Sequence, residues 1–324
     1  MPFKEIIFSE NRPSARLDIF LRDLFPHCSR RFIQKGIKKG KVLVNGRKAE
    51  KGYFLTAGER ILIDEDYFRE GRSLEPNPEV PMRVLYVDRW IVAVDKPALI
   101  PTNALDPEEK WTLANGLIYH FPETADVGER LCPGFVHRLD TGTSGVILAA
   151  RDNQTYGFLR NLFRQKQIEK VYIAVVAGQM MGRGIISGFI GHDPADRRKM
   201  RIYSDPEEAK HYHARWAESS YEVIKSMEGF TLLRVIMKTG VMHQLRVQFS
   251  SIGHPVVGDY LYGYVNCGAL KIPQGRFLLH AYQIVFSHPF ERKKMRILSP
   301  LPPDFRGLLD HIHGVFIDRW SNGV

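Results

Sequence analysis

The spacing of apolar and polar positions changes character along the chain. From Asp18 to Phe25 the apolar residues Ile19, Leu21, Leu24 and Phe25 are consistent with a short helix, which Pro26 breaks. Ser29 is a good N-cap for a second helix from Arg30 to about Lys38, with Phe32, Ile33 and Ile37 at helical spacing and Gly40 at its end. Val42-Leu43-Val44 followed by Asn45-Gly46 predicts a strand and a tight hairpin turn. Glu59 to Ile63 supplies a closing strand. These elements predict a small α+β domain over residues 1–68.

Residues 69–81 are polar and carry Pro76, Pro78 and Pro81, so they read as an extended, fairly stiff linker. From residue 82 to about 300 the pattern is mainly that of strands: Val84–Val87, Ile91–Val94, Gly145–Ala150, Val171–Ala177, Leu232–Met237 and Gln244–Phe249. Helices are expected at Thr112–Tyr119 and Asn153–Arg164. Many strands with few helices between them predict an α+β domain built on a mixed, mainly antiparallel sheet rather than a doubly wound one. Residues 301–324 form a C-terminal tail with a short helix around Phe305–His311 and no assigned role. The chain carries no internal repeat and no low-complexity segment.

Charge sharpens this picture. The 324 residues hold 46 Lys and Arg against 36 Asp and Glu, a net charge of +10. Such a surplus suits a polyanion, whose counterions are released on binding, although solubility alone would explain part of it. The surplus is concentrated between His27 and Lys51. Arg30, Arg31, Lys35, Lys38, Lys39, Lys41, Arg47, Lys48 and Lys51 are opposed there only by Glu50. A solvated helix face is one reading of this cluster. The other is a helix-plus-hairpin surface that grips phosphates through Arg30, Arg31, Lys38, Lys41 and Lys48.

Three distant cysteines, Cys28, Cys132 and Cys267, make neither a disulfide framework nor a cysteine zinc site, and they suit a reducing, cytoplasmic setting. Met1 to Ser14 lacks the apolar core of a signal peptide, and no stretch nears the ~20 apolar residues of a membrane span. His211-Tyr212-His213 and His311-Ile312-His313 bring no Cys or carboxylate ligands with them, so no metal site is expected.

The segment His137-Arg138-Leu139-Asp140-Thr141-Gly142-Thr143-Ser144-Gly145 carries the most chemistry. It places Asp140 in a loop of small residues where a large ligand can approach closely. Arg138, two residues earlier, favours an ionised carboxylate. A side chain that merely caps its own turn is the plainer reading of Asp140. Leu139-Asp140-Thr141-Gly142 also resembles the active strand of aspartic proteases. Those enzymes need two carboxylates sharing a proton, and the chain holds no second Asp-Thr-Gly or Asp-Ser-Gly.

The same string resembles the His-Arg-Leu-Asp signature of the RluA-type RNA pseudouridine synthases. Further pieces occur in that family's order: Val84 to Pro97 ending in Lys-Pro, Lys170-Val171-Tyr172-Ile173-Ala174, and Arg197 with Lys199-Met200. Thr239-Gly240 with His243-Gln244-Leu245-Arg246-Val247 follows, then Gly253-His254-Pro255, Gly258-Asp259, Leu279-His280-Ala281 and His288-Pro289. The N-terminal domain is similar to the small RNA-binding domain named after ribosomal protein S-four. Departures occur at Val241-Met242, where the family has Arg-Thr, at Gln248, where it has His, and at Ala98-Leu99, where it has Ala-Gly.

The resemblance implies an enzyme that isomerises uridine to pseudouridine in structured RNA without a cofactor. It implies Asp140 as the catalytic carboxylate, Arg246 as its partner, Tyr172 as the residue stacking on the target base, and Arg138 as an RNA contact. Large-subunit ribosomal RNA is the expected partner, with transfer RNA as the alternative. The protein is expected to be a monomer with no obligate protein partner. A different class, an RNA-binding protein that has lost catalysis, is opposed by the intact Asp140, Tyr172 and Arg246.

Overall fold

The computed structural model describes residues 3–9, 15–26, 28–68, 74–265 and 272–305. The N-terminal elements form where predicted, but the first helix buries Leu17, Phe20 and Leu21 and leaves Ile19 and Leu24 exposed. Helices span Leu17–Leu24 and Arg30–Lys38, and the Ser29 hydroxyl accepts from the Phe32 amide at 3.2 Å as an N-cap. Asn45 and Gly46 both take positive φ, 50° and 76°, as the predicted two-residue turn between Val42–Val44 and Arg47–Lys48 requires. These strands join Arg60–Ile63 and Lys4–Ile7 in a four-stranded antiparallel sheet. A core of its own, including Leu21, Phe32, Ile33, Ile37 and Phe68, lies beneath it.

The large domain is built on a ten-stranded sheet. From one edge its strands are Met200–Tyr203, Arg183–His192, Arg215–Met227, Phe230–Met237, Glu169–Ala177, Leu279–Ser287, Ser144–Ala150, Ile91–Lys96 and Arg83–Val87. Lys294–Leu298 pairs beside Leu279–Ser287. Every pairing is antiparallel except Ser144–Ala150 with Leu279–Ser287, which makes the sheet mixed. The α+β class expected from the strand-rich pattern is therefore the observed one.

The parallel pairing depends on one glycine. Gly145 sits at φ 120°, and a Cβ there would lie 2.2 Å from the Ala281 carbonyl oxygen. Backbone would have to move, since no side chain can yield. Gly145→Ala is expected to destabilise the fold by at least about 2 kcal/mol, read as a shift in the denaturant midpoint at unchanged slope.

One expected strand is a helix. Gln244–Phe249 alternates polar and apolar residues, which suggested period two, yet Gln244–Ser251 is helical. The alternation misleads because Gln244, Arg246 and Gln248 do not face water. All six residues from Gln244 to Phe249 are buried, and the polar ones are bonded internally. The Gln244 amide donates to the Glu218 carbonyl and the Ser219 hydroxyl. Gln248 accepts from Ser219 and donates to the Ile186 carbonyl.

Other elements fall where predicted or were unmarked by the pattern. The Asn153–Arg164 helix is as expected, and Thr112 caps a helix over Leu113–His120. The long Arg215–Met227 strand holds Glu218, Ser219 and Ser220 in its middle and carries no apolar run to mark it. In the described part of the expected linker, Leu74 and Val80 are buried in the large core, and Asn77 and Asn115 tie the segment to the Leu113–His120 helix. The described part of this segment is packed against the large domain. The expected tail helix is described only to Phe305, and its remainder lies outside the described residues.

Candidate active site

The loop carrying Asp140 is held from several sides. Phe135 bridges Ala149, and the Leu148 amide donates to His137 Nε2 at 3.0 Å. Burial, then the charge of Lys170, push the His137 pKa down to about 3, which keeps it a neutral acceptor. The Thr102 hydroxyl bonds both the amide and the carbonyl of Leu139. The Thr143 amide donates to the Asp140 main-chain carbonyl at 3.0 Å, closing a tight turn. The Thr141 carbonyl accepts from the Leu99 amide at 2.7 Å and from Lys96 Nζ at 3.2 Å. Lys96 is fully buried, and burial, then the charge of Arg276, lower its pKa to about 7 against the opposing pull of Asp140.

The turn is thus closed by backbone, which leaves the Asp140 carboxylate for another partner. That partner is Arg246, whose Nη1 donates to Asp140 Oδ2 at 3.0 Å. The guanidinium is shared. Its Nε and Nη2 donate to the two oxygens of Asp259 at 2.6 and 3.0 Å. This bidentate pair fixes the guanidinium plane and aims the remaining nitrogen at Asp140. The guanidinium carbon lies 4.2 Å from the Phe277 ring centroid and 5.0 Å from that of Tyr262. Burial alone would lower the Arg246 pKa, but bonding to Asp259 and then Asp140 raises it overall. Asp140 and Asp259 are each bonded to the Arg246 guanidinium, whereas the two carboxylates of an aspartic protease share a proton.

Around this pair are Tyr172, His243 and a cavity. Tyr172 is buried on the Glu169–Ala177 strand opposite Ala281. Burial, then the charge of Asp140, raise its pKa, so it keeps its proton. His243 enters the Gln244–Ser251 helix at φ 55°, with Nε2 3.9 Å from Asp140 Oδ2 and Nδ1 2.8 Å from the Tyr262 hydroxyl. Its pKa is lowered by burial despite Asp140. A cavity of about 610 Å³ opens beside Arg246, lined also by Asp259, Tyr260, Gln274 and Phe277. Arg138 is exposed on the same loop as Asp140. The structure therefore brings Asp140 and Arg246 into contact, with the Asp140 charge acting on Tyr172.

Asp259, Lys96, His243 and Phe277 also belong to this cluster, and no role for them is legible in the sequence. The Gly258-Asp259 and Lys96-Pro97 pairs stood out in the chain, but their contacts depend on tertiary placement.

Both parts of the chain resemble known proteins. Residues 91–251 match the model of the RNA pseudouridylate synthase family, and residues 15–61 match the S4 domain. The chain is 33% identical over 318 residues to an RNA pseudouridine synthase of Aquifex aeolicus, covering 95% of this chain and 97% of that protein. The chain belongs to the RNA pseudouridine synthase family. It is also 31% identical to the ribosomal large subunit pseudouridine synthase D of Xanthomonas campestris, covering 94% of this chain and 91% of that one. Among solved structures, human RNA pseudouridylate synthase domain containing 1 aligns with a TM-score of 0.55 at 26% identity, over 71% of this chain and 87% of that one.

Two departures from the RluA-type pattern have visible consequences. Leu99 takes φ 69°, a conformation that favours the glycine the pattern has there. Gln248 is wholly buried and spends its amide on Ser219 and Ile186, far from bulk water.

In this pseudouridine synthase the nine basic residues between His27 and Lys51 divide into three groups. Arg30 pairs with Asp18, and Lys41 with Asp64. Arg31, Lys35 and Lys39 face an acidic loop of the large domain. Arg31 lies 3.5 Å from Glu109, Lys35 lies 3.2 Å from Asp106 and 2.8 Å from Glu108, and Lys39 lies 2.7 Å from Glu108. Ser29 donates to the Leu105 carbonyl in the same contact. Lys38, Arg47, Lys48 and Lys51 are exposed and have no ion pair among the described residues.

No group of three or more His, Cys, Asp or Glu among the described residues could hold a metal ion. His311, His313 and Cys267 lie outside those residues. No helix among them is long and apolar enough to cross a membrane.

Proposed function

We propose that the chain isomerises uridines of large-subunit ribosomal RNA, with Asp140 as the carboxylate that acts on the target nucleotide. The observation that carries this reading is the 3.0 Å bond from Arg246 to Asp140, aimed by the bidentate Arg246–Asp259 pair. It leaves one partly exposed carboxylate, oriented by a guanidinium that itself borders the cavity.

The reaction breaks the bond from uracil N1 to the sugar, turns the base and forms a bond from C5 to the same carbon. The proton leaving C5 is balanced by one gained at N1, so the isomerisation needs no redox cofactor. Asp140 acts either by attacking the sugar carbon or by taking a sugar proton, and both routes need its charged form. Tyr172, buried and protonated, offers a ring against which the extruded base stacks. Arg138, exposed near Asp140, holds the RNA that the uridine leaves.

Residues 1–68 grip RNA phosphates, residues 69–81 connect, and residues 82–300 carry the chemistry. Ribosomal RNA is favoured by relatives named for the large subunit. Tritium release from C5-labelled uridine in bulk RNA tests the activity. Its absence would make the chain an RNA-binding protein without catalysis. Mapping pseudouridines in cells lacking the protein tests the substrate, and lost sites in transfer RNA alone would overturn the ribosomal assignment.

Arg246→Lys keeps the charge but loses the planar fork that bonds Asp259 and Asp140 together. Turnover at saturating RNA is expected to fall roughly 100-fold while RNA affinity holds, because misplacement of about 1 Å costs that much. Weaker binding with unchanged turnover would make Arg246 a phosphate contact instead.

A further inference from the structure

The Asp140–Arg246 pair needs both of its members placed, and the structure places them through adjacent residues. Arg276 is buried behind the Asp140 loop, with only 2% of its surface exposed. Its Nη1 donates to the Gly142 carbonyl at 2.8 Å, two residues beyond Asp140, and also to the carbonyls of Phe277 and Leu279. Its Nε and Nη2 donate to the two oxygens of Asp304 at 2.5 and 3.3 Å. Phe277, the next residue, presents its ring to the Arg246 guanidinium at 4.2 Å.

The contact with the loop is close. A Cβ on Gly142 would meet the Gly275 carbonyl at 2.3 Å and the Phe277 ring at 2.5 Å, so the loop lies flat against this segment. The Gly275–Phe277 stretch thus touches the backbone that carries Asp140 and the side chain that carries its partner cation. Asp304 in turn is held by the C-terminal segment, where Phe305 is fully buried beside Arg276 and His280.

We infer that Arg276 and Phe277, with Asp304 as counter-ion, are positioning residues that set the distance between Asp140 and Arg246. Arg276 fixes the loop from behind through the Gly142 carbonyl. Phe277 fixes the guanidinium by packing its ring against it. Asp304 satisfies the two Arg276 nitrogens that do not reach the loop and orients the third, as Asp259 does for Arg246. The catalytic pair is therefore built from two arginine forks, each aimed by a carboxylate and joined through Phe277. Burying the Arg276 charge without Asp304 would be costly, which ties the segment after residue 300 to the site. This inference rests on the reading of Asp140 as the acting carboxylate.

The test uses the full-length chain with Arg276→Met, Arg276→Lys and Asp304→Asn. Each is assayed for single-turnover rate at saturating RNA, for RNA affinity and for thermal unfolding. Arg276→Met is expected to lower the rate roughly 100-fold, the loss expected of a misplacement near 1 Å, while affinity changes less than about threefold. Arg276→Lys keeps a buried cation that can reach the Gly142 carbonyl, and it is expected to recover part of the rate. Asp304→Asn removes the counter-ion but keeps an acceptor, and its rate is expected to fall roughly tenfold. If Arg276→Met does not fold, the two milder variants decide.

A lower unfolding temperature with an unchanged rate in the folded variants would overturn the inference and make the cluster purely a stabilising one. A loss of RNA affinity at an intact rate would also overturn it. Failure of the underlying reading is distinguishable, because it would appear as turnover by Asp140→Asn in an otherwise native chain.

Discussion

Asp140→Asn is expected to abolish pseudouridine formation while leaving RNA affinity within about threefold of the parent, since the substitution removes charge and not shape. Asparagine is isosteric and offers an oxygen to Arg246 Nη1. Arg246 stays bonded to both oxygens of Asp259, so the surrounding geometry has no reason to shift. What disappears is the charged carboxylate, and removal of a reacting group from such a unit costs roughly four orders of magnitude or more in turnover.

A turn-capping role for Asp140 makes the opposite forecast. Asparagine caps turns as well as aspartate does, and activity would survive. The geometry favours the catalytic reading, because the Thr143 amide bonds the Asp140 main-chain carbonyl and not its side chain. Tritium release under single-turnover conditions, beside a binding titration, separates the two. Substantial release by the variant would sink the mechanism.

The sequence revealed most where local chemistry governs structure. The Ser29 cap, the Asn45-Gly46 turn and the Asn153–Arg164 helix are each specified by residues within a few positions, and all three occur. The Gln244–Ser251 helix has the pattern of a strand because its polar residues serve distant partners. Gln244 reaches Glu218 and Ser219, Gln248 reaches Ile186, and Arg246 reaches Asp140, 106 residues away. A period-two alternation marks a half-buried strand only when the polar set faces water.

The same distinction runs through the site. Asp140, Tyr172 and Arg246 stood within strings whose order resembled a family, so they could be named before any contact was known. Asp259 could be named as part of a motif, but not as the carboxylate that aims Arg246. Arg276 carried no local mark at all. Its neighbours are apolar or small, and its partners lie at Gly142 and Asp304, on opposite sides of it in the chain. The basic cluster shows the limit from another direction. Its charges were countable, but Asp106, Glu108 and Glu109, which face three of them, are about 70 residues downstream.

Deleting residues 1–70 is expected to weaken binding to long structured RNA and to flatten its salt dependence without abolishing conversion. The cut falls ahead of Leu74 and Val80, which are buried in the large core, and the two domains keep separate apolar clusters. Asp140, Tyr172 and Arg246 all lie beyond it, so the truncated enzyme should still convert uridine at high RNA concentration. The size of the binding loss follows from which charges are available. Five basic residues of the cluster already face carboxylates, leaving Lys38, Arg47, Lys48 and Lys51 for phosphates. Four phosphate contacts contribute a slope of about 3 in log affinity against log salt, so raising salt from 50 to 200 mM should cost the full-length protein roughly 60-fold more than the truncated one. A slope difference nearer 6 would mean that RNA also takes Arg31, Lys35 and Lys39 from the acidic loop. No difference would leave the cluster a solvated surface. Loss of folding on truncation would place the S4 domain within the catalytic core, with the Ser29–Leu105 and Lys35–Asp106 contacts as structural joints rather than surface pairs. Conversion counted in parallel at saturating RNA completes the comparison. An unchanged rate with weaker, less salt-sensitive binding assigns gripping to one domain and chemistry to the other.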